Sequence, residues 1–307
     1  MNELWVEKYR PKTVDGYVFV DDNQRTQVES WIKNGAIPHL LFSGAPGVGK
    51  TTLAKILIHQ LGIDEYDVLE INASRENSVD TIRDKITGFV QTMPFGDFKV
   101  VLLDEADYIS PNGQAALRGV MEEYADNARF ILTCNMIHKI LPALKSRCQG
   151  FHIAKTDQVE FTARVATVLV SESVEFELDT LDTYVKATYP DMRKCLNLLQ
   201  PNSQSGQLVP PSETDRSTRD WRLDCVELFK AGRIREGRTL LCQSCTPEEA
   251  DEIFRWMYDN LDLWSKDPAG QDEAILAIRK GLVNHAVCAD PEIDLSATLI
   301  ELTQIGQ

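Results

Sequence analysis

No run in this 307-residue chain approaches the 18 apolar residues that a membrane span needs. The opening MNELWVEKYR places a tryptophan and charges where a secretory signal would carry its apolar stretch. Those two absences predict a cytoplasmic protein without a membrane partner. Cysteine is sparse too: seven residues, odd in number and scattered, suit reduced thiols better than a disulfide framework. Cys242 and Cys245 form a lone C-x-x-C with no second pair or nearby histidines, so its expected meaning is coincidence within a helical region. Positive charge is the other shortage, with 32 Lys/Arg against 47 Asp/Glu and a net charge of −15. The deficit is uneven. Residues 1–155 carry 17 basic and 20 acidic side chains, whereas the remainder carries 15 and 27. A basic stripe in the first half is therefore still compatible with a phosphate-rich partner, although the chain alone should bind nucleic acid weakly.

What is present is a phosphate-binding signature in its proper setting. Gly44, Ala45, Pro46, Gly47, Val48, Gly49, Lys50 and Thr51 read GAPGVGKT, after an apolar strand-like run (His39 to Ser43) and before a helical pattern that starts at Thr52. Such a glycine-rich turn points its backbone N–H groups inward, and the following helix sets its positive dipole end at the anion. Lys50 would add a cation for the β/γ-phosphates of ATP, and Thr51 a hydroxyl for Mg²⁺. A bare structural turn would explain the glycines but not the Lys-Thr pair. A second apolar strand, VVLL, ends in Asp104 and Glu105, 53 residues after Thr51. Asp104 is the candidate for the Mg²⁺ shell and Glu105 for orienting or deprotonating the attacking water. Asn135 closes another strand at LTCN, where a polar side chain at the C-terminal end of a parallel strand faces the ligand crevice.

Short β-rich runs at His39 to Ser43, Val68 to Ile71, Val100 to Leu103, Phe130 to Thr133 and Gly150 to Ile153 alternate with helical patterns. The fold class expected is an α/β P-loop domain with a parallel sheet covered on both faces, spanning 1–155. Beyond it, Asp157 to Ser171 and Leu178 to Leu199 read as amphipathic helices of a second domain. Residues Pro201 to Asp220, rich in Pro, Ser, Gly and charge, read as a linker. Helical spacing resumes at Trp221 to Ala231, Pro247 to Leu263 and Gln271 to Val287. Those segments predict domains 156–218 and 219–307, the last all-helical.

Taken together, the motifs resemble the AAA+ ATPase subunits of replicative clamp loaders, the replication factor C small-subunit family. The resemblance runs from Leu4 to about Gln200 through WVEKYRPKT (Trp5 to Thr13), the phosphate loop, EINAS (Glu70 to Ser74), LLDEAD, the stretch from Gly113 to Asn135, SRC (Ser146 to Cys148) and YPDMRKCLN (Tyr189 to Asn197). It implies an arginine finger at Arg147 acting in trans on a neighbouring subunit's ATP. It also implies a sensor arginine at Arg193 on a helical lid, a first sensor at Asn135, and adenine-side contacts from Tyr9, Arg10 and Pro11. The implied partners are a sliding clamp, a second clamp-loader subunit, further copies of the chain in a five-subunit ring, and primer-template DNA held through its backbone. Arg75, Ser78, Arg83 and Lys85 are the candidate DNA contacts. Val90, Met93 and Phe95 are alternatives for the clamp, although packing into the core is the expectation for them. Ala45, Val48 and Pro190 depart from the cellular pattern. The variant lid at Pro190, together with the compact C-terminus, is more like the large clamp-loader subunit of T4-type bacteriophages, which would place the protein in host cytoplasm. A branch-migration motor and a non-hydrolysing ATP-binding scaffold are the competing readings. The EKYRP and SRC boxes speak against the motor, and intact Glu105 and Arg147 against the scaffold.

Overall fold

The computed structural model describes residues 3–19, 21–76, 79–210, 220–244, 250–285, 287–288 and 290–305. They form two compact units that divide between Asp157 and Gln158. The first contains strands β1 (Leu40–Ser43), β2 (Val68–Asn72), β3 (Lys99–Asp104), β4 (Ala128–Cys134) and β5 (Gln149–His152), all parallel, in the order β2-β3-β4-β1-β5. Its helices are α1 (Trp5–Lys8), α2 (Asp22–Asn34), α3 (Lys50–Gln60), α4 (Val79–Val90), α5 (Pro111–Glu123) and α6 (Pro142–Lys145).

The continuous apolar strands are buried on both faces because successive side chains point opposite ways. Leu40, Phe42, Val100, Leu102 and Ile131 pack with Val28, Trp31, Leu53 and Leu57 from α2 and α3. Leu41, Val101, Leu103 and Leu132 pack with Ile86, Val90, Leu117 and Met121 from α4 and α5. Caps set the helix ends. Asp21 accepts from Asn23 N–H at the start of α2, Gly35 closes that helix in the left-handed region, and Ser110 accepts from Gly113 N–H ahead of Pro111 in α5.

A pH response is built into this core. His39 Nδ1 accepts the Phe130 N–H at 3.1 Å, and burial, reinforced by the nearby Arg129 guanidinium, lowers its pKa from 6.5 to about 4. The folded state therefore holds His39 neutral while the unfolded chain takes up a proton. Its stabilising contribution is complete above about pH 6.5 and is lost as pH falls through about 4. Melting temperatures measured across that window are expected to fall with pH. They should fall less in His39→Asn, whose carbonyl offers a non-titrating acceptor.

The second unit is helical: α7 (Gln158–Ser171), α8 (Leu178–Thr188), α9 (Met192–Leu199), α10 (Trp221–Lys230), α11 (Ile234–Ser244), α12 (Ala250–Asp259), α13 (Pro268–His285) and α14 (Pro291–Gln304). The expected Leu178 to Leu199 pattern is two helices. Pro190 disfavours helical geometry at Tyr189, and Asp191 starts α9 afresh by accepting from Lys194 N–H. The α11 and α14 segments lie outside the helical runs expected from sequence.

The linker expectation needs correcting over residues 201–210. Glu175 N–H donates to Gly206 O and Leu208 N–H to Glu175 O, the Tyr184 hydroxyl donates to Val209 O at 2.9 Å, and Leu208 is buried. That half of the polar stretch is packed because its few apolar side chains and its backbone groups find partners on α8 and its lead-in. Residues 211–219, including the expected boundary at 218, lie outside the described residues. Helix α8 is fastened to its neighbours in this unit. Trp256 Nε1 donates to Lys186 O at 2.9 Å, and Lys230 Nζ donates to Asp179 O and Thr183 Oγ1. Among the described residues no helix is long and apolar enough to cross a membrane, and no group of three His, Cys, Asp or Glu forms a metal site. Cys242 Sγ lies 3.2 Å from Ser296 Oγ, while Cys245 is outside the described residues.

Candidate nucleotide-binding site

The phosphate loop leaves β1 at the C-terminal edge of the sheet, where ligands of open parallel sheets bind. Its shape requires glycine at two positions. Gly44 has φ +155°, and a Cβ there would stand 2.3 Å from Ile153 O. Gly49 has φ +98°, and a Cβ there would press on the Tyr17 ring at 3.1 Å. Helix α3 begins directly behind the loop at Lys50, so the positive end of its dipole lies at the turn. Lys50 is buried, and its ammonium donates to Gly44 O at 2.9 Å and Ala45 O at 2.7 Å. The amine is thus already folded over the loop.

Behind the loop runs a chain of hydroxyls and carboxylates. Thr51 Oγ1 donates to Asp104 Oδ1 at 2.7 Å, Thr133 Oγ1 donates to the same oxygen at 2.6 Å, and Glu105 N–H donates to Thr133 Oγ1 at 3.0 Å. The sheet register makes this possible. Leu103 of β3 lies opposite Leu132 of β4, so the next residues along, Asp104 and Thr133, are neighbours. Glu105 leaves β3 in the left-handed region at φ 58° and ψ 43°, unusual for a residue with a side chain. Asn135 follows β4, and its loop is held by the buried Asp107, whose Oδ2 accepts from Asn135 N–H at 3.3 Å and Met136 N–H at 3.0 Å. Gln114 on α5 braces the same loop, donating to Ile109 O and Lys139 O at 3.0 Å and accepting from Leu141 N–H at 2.7 Å.

Thr51, Asp104 and Glu105 are therefore joined through Thr133, Lys50 lies on the loop in front of them, and Asn135 follows β4 two residues after Thr133. Thr133, Asp107 and Gln114 escaped the sequence reading. Thr133 is inside the LTCN string, but only the register of β4 on β3 reveals what its hydroxyl meets. The oxygen donors Thr51 and Asp104 are the hard ligands Mg²⁺ prefers, and the open glycine cradle suits a polyphosphate, so the residues present fit both groups.

Tyr9 caps α1, and Arg10 pairs with Glu7 at 2.5 Å. The N-terminal segment is tied to the flank of α3 where Val14 N–H donates to Gln60 Oε1 at 3.2 Å. Arg147 follows α6, donating to Ala143 O at 2.8 Å and pairing with Glu122 of α5. Arg193 is an exposed residue in the first turn of α9 in the second unit. Of the candidate DNA contacts, Arg75 is exposed, Arg83 lies 3.5 Å from Asp84, Lys85 pairs with Glu76, and Ser78 is outside the described residues.

The expectation that Met93 and Phe95 pack into the core is wrong. Both are 80% exposed, whereas Val90 is fully buried. The backbone turns out of the core there because buried Asp67 accepts from Phe95 N–H at 2.7 Å and Gly96 N–H at 2.9 Å. Exposed Tyr66 packs its ring 6.0 Å from that of Phe95, so exposed apolar side chains precede β2 and β3, at the end of the sheet opposite the phosphate loop.

Residues 40–156 match the family model described as ATPase family associated with various cellular activities (AAA). The replication factor C small subunit of Sulfurisphaera tokodaii is 43% identical over 213 residues, covering 67% of this chain and 64% of that protein. Replication factor C small subunit 1 of Pyrobaculum arsenaticum is 38% identical over 236 residues, covering 75% and 71%. The chain thus spans just under two thirds of the first of these relatives. Among solved structures, the Thermotoga maritima RuvB Holliday junction branch migration motor superposes with a TM-score of 0.53 at 17% identity, covering 66% of this chain and 70% of that one, a likeness of fold alone. On the strength of the two replication relatives and the AAA match, the chain belongs to the replication factor C small-subunit family.

Proposed function

We propose that the chain is an ATP-hydrolysing subunit of a sliding-clamp loader. ATP binding would drive clamp opening and primer-template binding, and hydrolysis would release the loaded clamp. The observation that carries the proposal is the hydrogen-bonded line Thr51–Asp104–Thr133–Glu105 behind a glycine cradle, which puts metal-type and base-type carboxylates on adjacent residues. Backbone N–H groups of the loop, Pro46 excepted, would hold the phosphates, and Lys50 would exchange its two loop carbonyls for phosphate oxygens. Mg²⁺ held by Thr51 and Asp104 would supply charge neutralisation on the β/γ-phosphates. Glu105 orients water and accepts its proton, while Asn135 and Arg193 sense the γ-phosphate. Tyr9, Arg10 and Pro11 border the adenine. Arg147 serves a neighbouring subunit's site.

In this reading residues 156–218 act as the lid and 219–307 as the oligomerising collar. The assembly is a five-subunit ring of further copies and a second loader subunit, with DNA followed through its phosphates near Arg75, Ser78, Arg83 and Lys85. The variant lid at Pro190 suggests the phage-type branch and a host-cell cytoplasmic setting. The exposed apolar side chains Tyr66, Met93 and Phe95 form the clamp-facing surface, since clustered exposed apolar residues mark interaction sites.

The test is steady-state ATP turnover of the chain with its companion subunit, with and without primer-template DNA and the cognate clamp. Stimulation requiring both is the expected result. Stimulation by DNA alone, indifferent to the clamp, would instead favour a branch-migration motor. In the same assay, a Met93→Ser, Phe95→Ser double variant is expected to keep its DNA-stimulated rate and lose the clamp-dependent increment. An unchanged increment would remove this patch from the interface.

A further inference from the structure

We infer that Thr133 is a positioning residue, its single hydroxyl setting both the metal-side carboxylate and the backbone that carries the general base. The inference rests on the nucleotide-site reading above. A hydroxyl has one proton to give and lone pairs to receive. Here the proton goes to Asp104 Oδ1 at 2.6 Å, and the lone pair takes the Glu105 N–H at 3.0 Å. Thr133 is only 1% exposed, so neither bond has water as a ready substitute.

The two bonds have different consequences. Asp104 Oδ1 also accepts from Thr51 Oγ1 at 2.7 Å, so the two threonine hydroxyls hold one carboxylate oxygen from both sides and fix its rotamer. Loss of one leaves the carboxylate free to swing away from Thr51. The second bond reaches a residue in strained geometry. Glu105 occupies the left-handed region at φ 58°, which a side-chain-bearing residue keeps only when its surroundings hold it there. The Thr133 hydroxyl is one of those restraints, and the direction in which the Glu105 side chain leaves the sheet depends on it.

Position 133 otherwise suits an aliphatic side chain. Its flanking partners on β4, Leu132 and Cys134, are buried apolar residues, and Phe42 lies opposite it on β1. Valine would fill the same volume in a strand. What valine lacks is the hydroxyl, at the one place on β4 that adjoins Asp104.

The experiment uses the full chain loaded with ADP and titrates Mn²⁺, the paramagnetic substitute for Mg²⁺, by electron paramagnetic resonance. Thr133→Val is expected to weaken Mn²⁺ by about 10-fold while metal-free ADP affinity stays within about twofold, and Thr133→Ser is expected to restore metal binding. Thr133→Ala, which cannot overpack the strand, is measured beside it. In the complete assembly, the valine and alanine variants should lower kcat with little change in KM for ATP, and the serine variant should recover kcat. A folded valine or alanine variant with wild-type Mn²⁺ affinity, or a folded serine variant that fails to rescue, overturns the inference. If the wild-type assembly hydrolyses no ATP, the proposed activity fails, while the Mn²⁺ titration still judges Thr133.

Discussion

Replacing Arg147 by alanine in every copy is expected to cut ATP turnover of the assembled complex by about 10³-fold or more, with nucleotide binding by the chain nearly unchanged. The size of the effect follows from the role proposed for the side chain. A guanidinium inserted beside the transferring phosphoryl group stabilises charge that develops only in the transition state, so its loss falls on rate rather than on binding. Within this chain the guanidinium rests on Glu122 of α5 and Ala143 O, with 29% of its side chain exposed. A partly exposed ion pair of that kind contributes only about 0 to 1 kcal/mol, so it holds the arginine in place without resisting exchange for a neighbour's phosphate. For the same reason the variant should melt close to the wild type. Arg147→Lys keeps the charge but not the planar fork and should recover only part of the rate. The decisive comparison is pre-steady-state turnover of an all-mutant assembly against wild type. Full activity there would remove the in-trans finger from the mechanism.

Glu105→Gln carries the second large effect. Glutamine preserves the size of the side chain but cannot accept a proton, so hydrolysis is expected to fall by about 10² to 10⁴-fold. Nucleotide affinity should persist, because the phosphate cradle, Lys50 and the Thr51–Asp104 bond are untouched. The backbone at 105 should hold as well, since its bond to Thr133 uses the main-chain N–H. Chemical-quench single-turnover measurements on the complete complex would then find ATP bound and intact for many times the wild-type lifetime. A variant that still hydrolyses at the wild-type rate would mean that another group takes the water's proton. Wild-type protein that holds ATP unchanged would favour the scaffold reading.

Much of the candidate site is legible in the sequence, because the information is local. The string from Gly44 to Thr51 encodes its own turn, and the glycines that the loop needs lie within the same eight residues as the lysine and threonine. Strand positions were equally legible. Runs such as Val100 to Leu103 are apolar at every position, which fits burial on both faces, and all five anticipated strands pair in one parallel sheet. Helix ends were less so. The break at Tyr189 and Pro190 lay inside an uninterrupted amphipathic pattern, and α14 lay outside the segments where helical spacing stood out.

Sequence alone thus determined the chemistry of the phosphate loop, the identity of the strands and the carboxylates that end one of them, all properties of neighbouring residues. Tertiary structure decided everything that depends on distant residues meeting. Thr133 acquired its place because β4 pairs with β3 in a register that sets it beside Asp104. Met93 and Phe95 proved exposed because buried Asp67, 28 residues before Phe95, captures the backbone of their turn. The polar segment from Pro201 folds onto α8 because Tyr184 reaches Val209 O. Periodicity reports which face of an element is apolar, but which side chain it meets is set by register and packing across the fold.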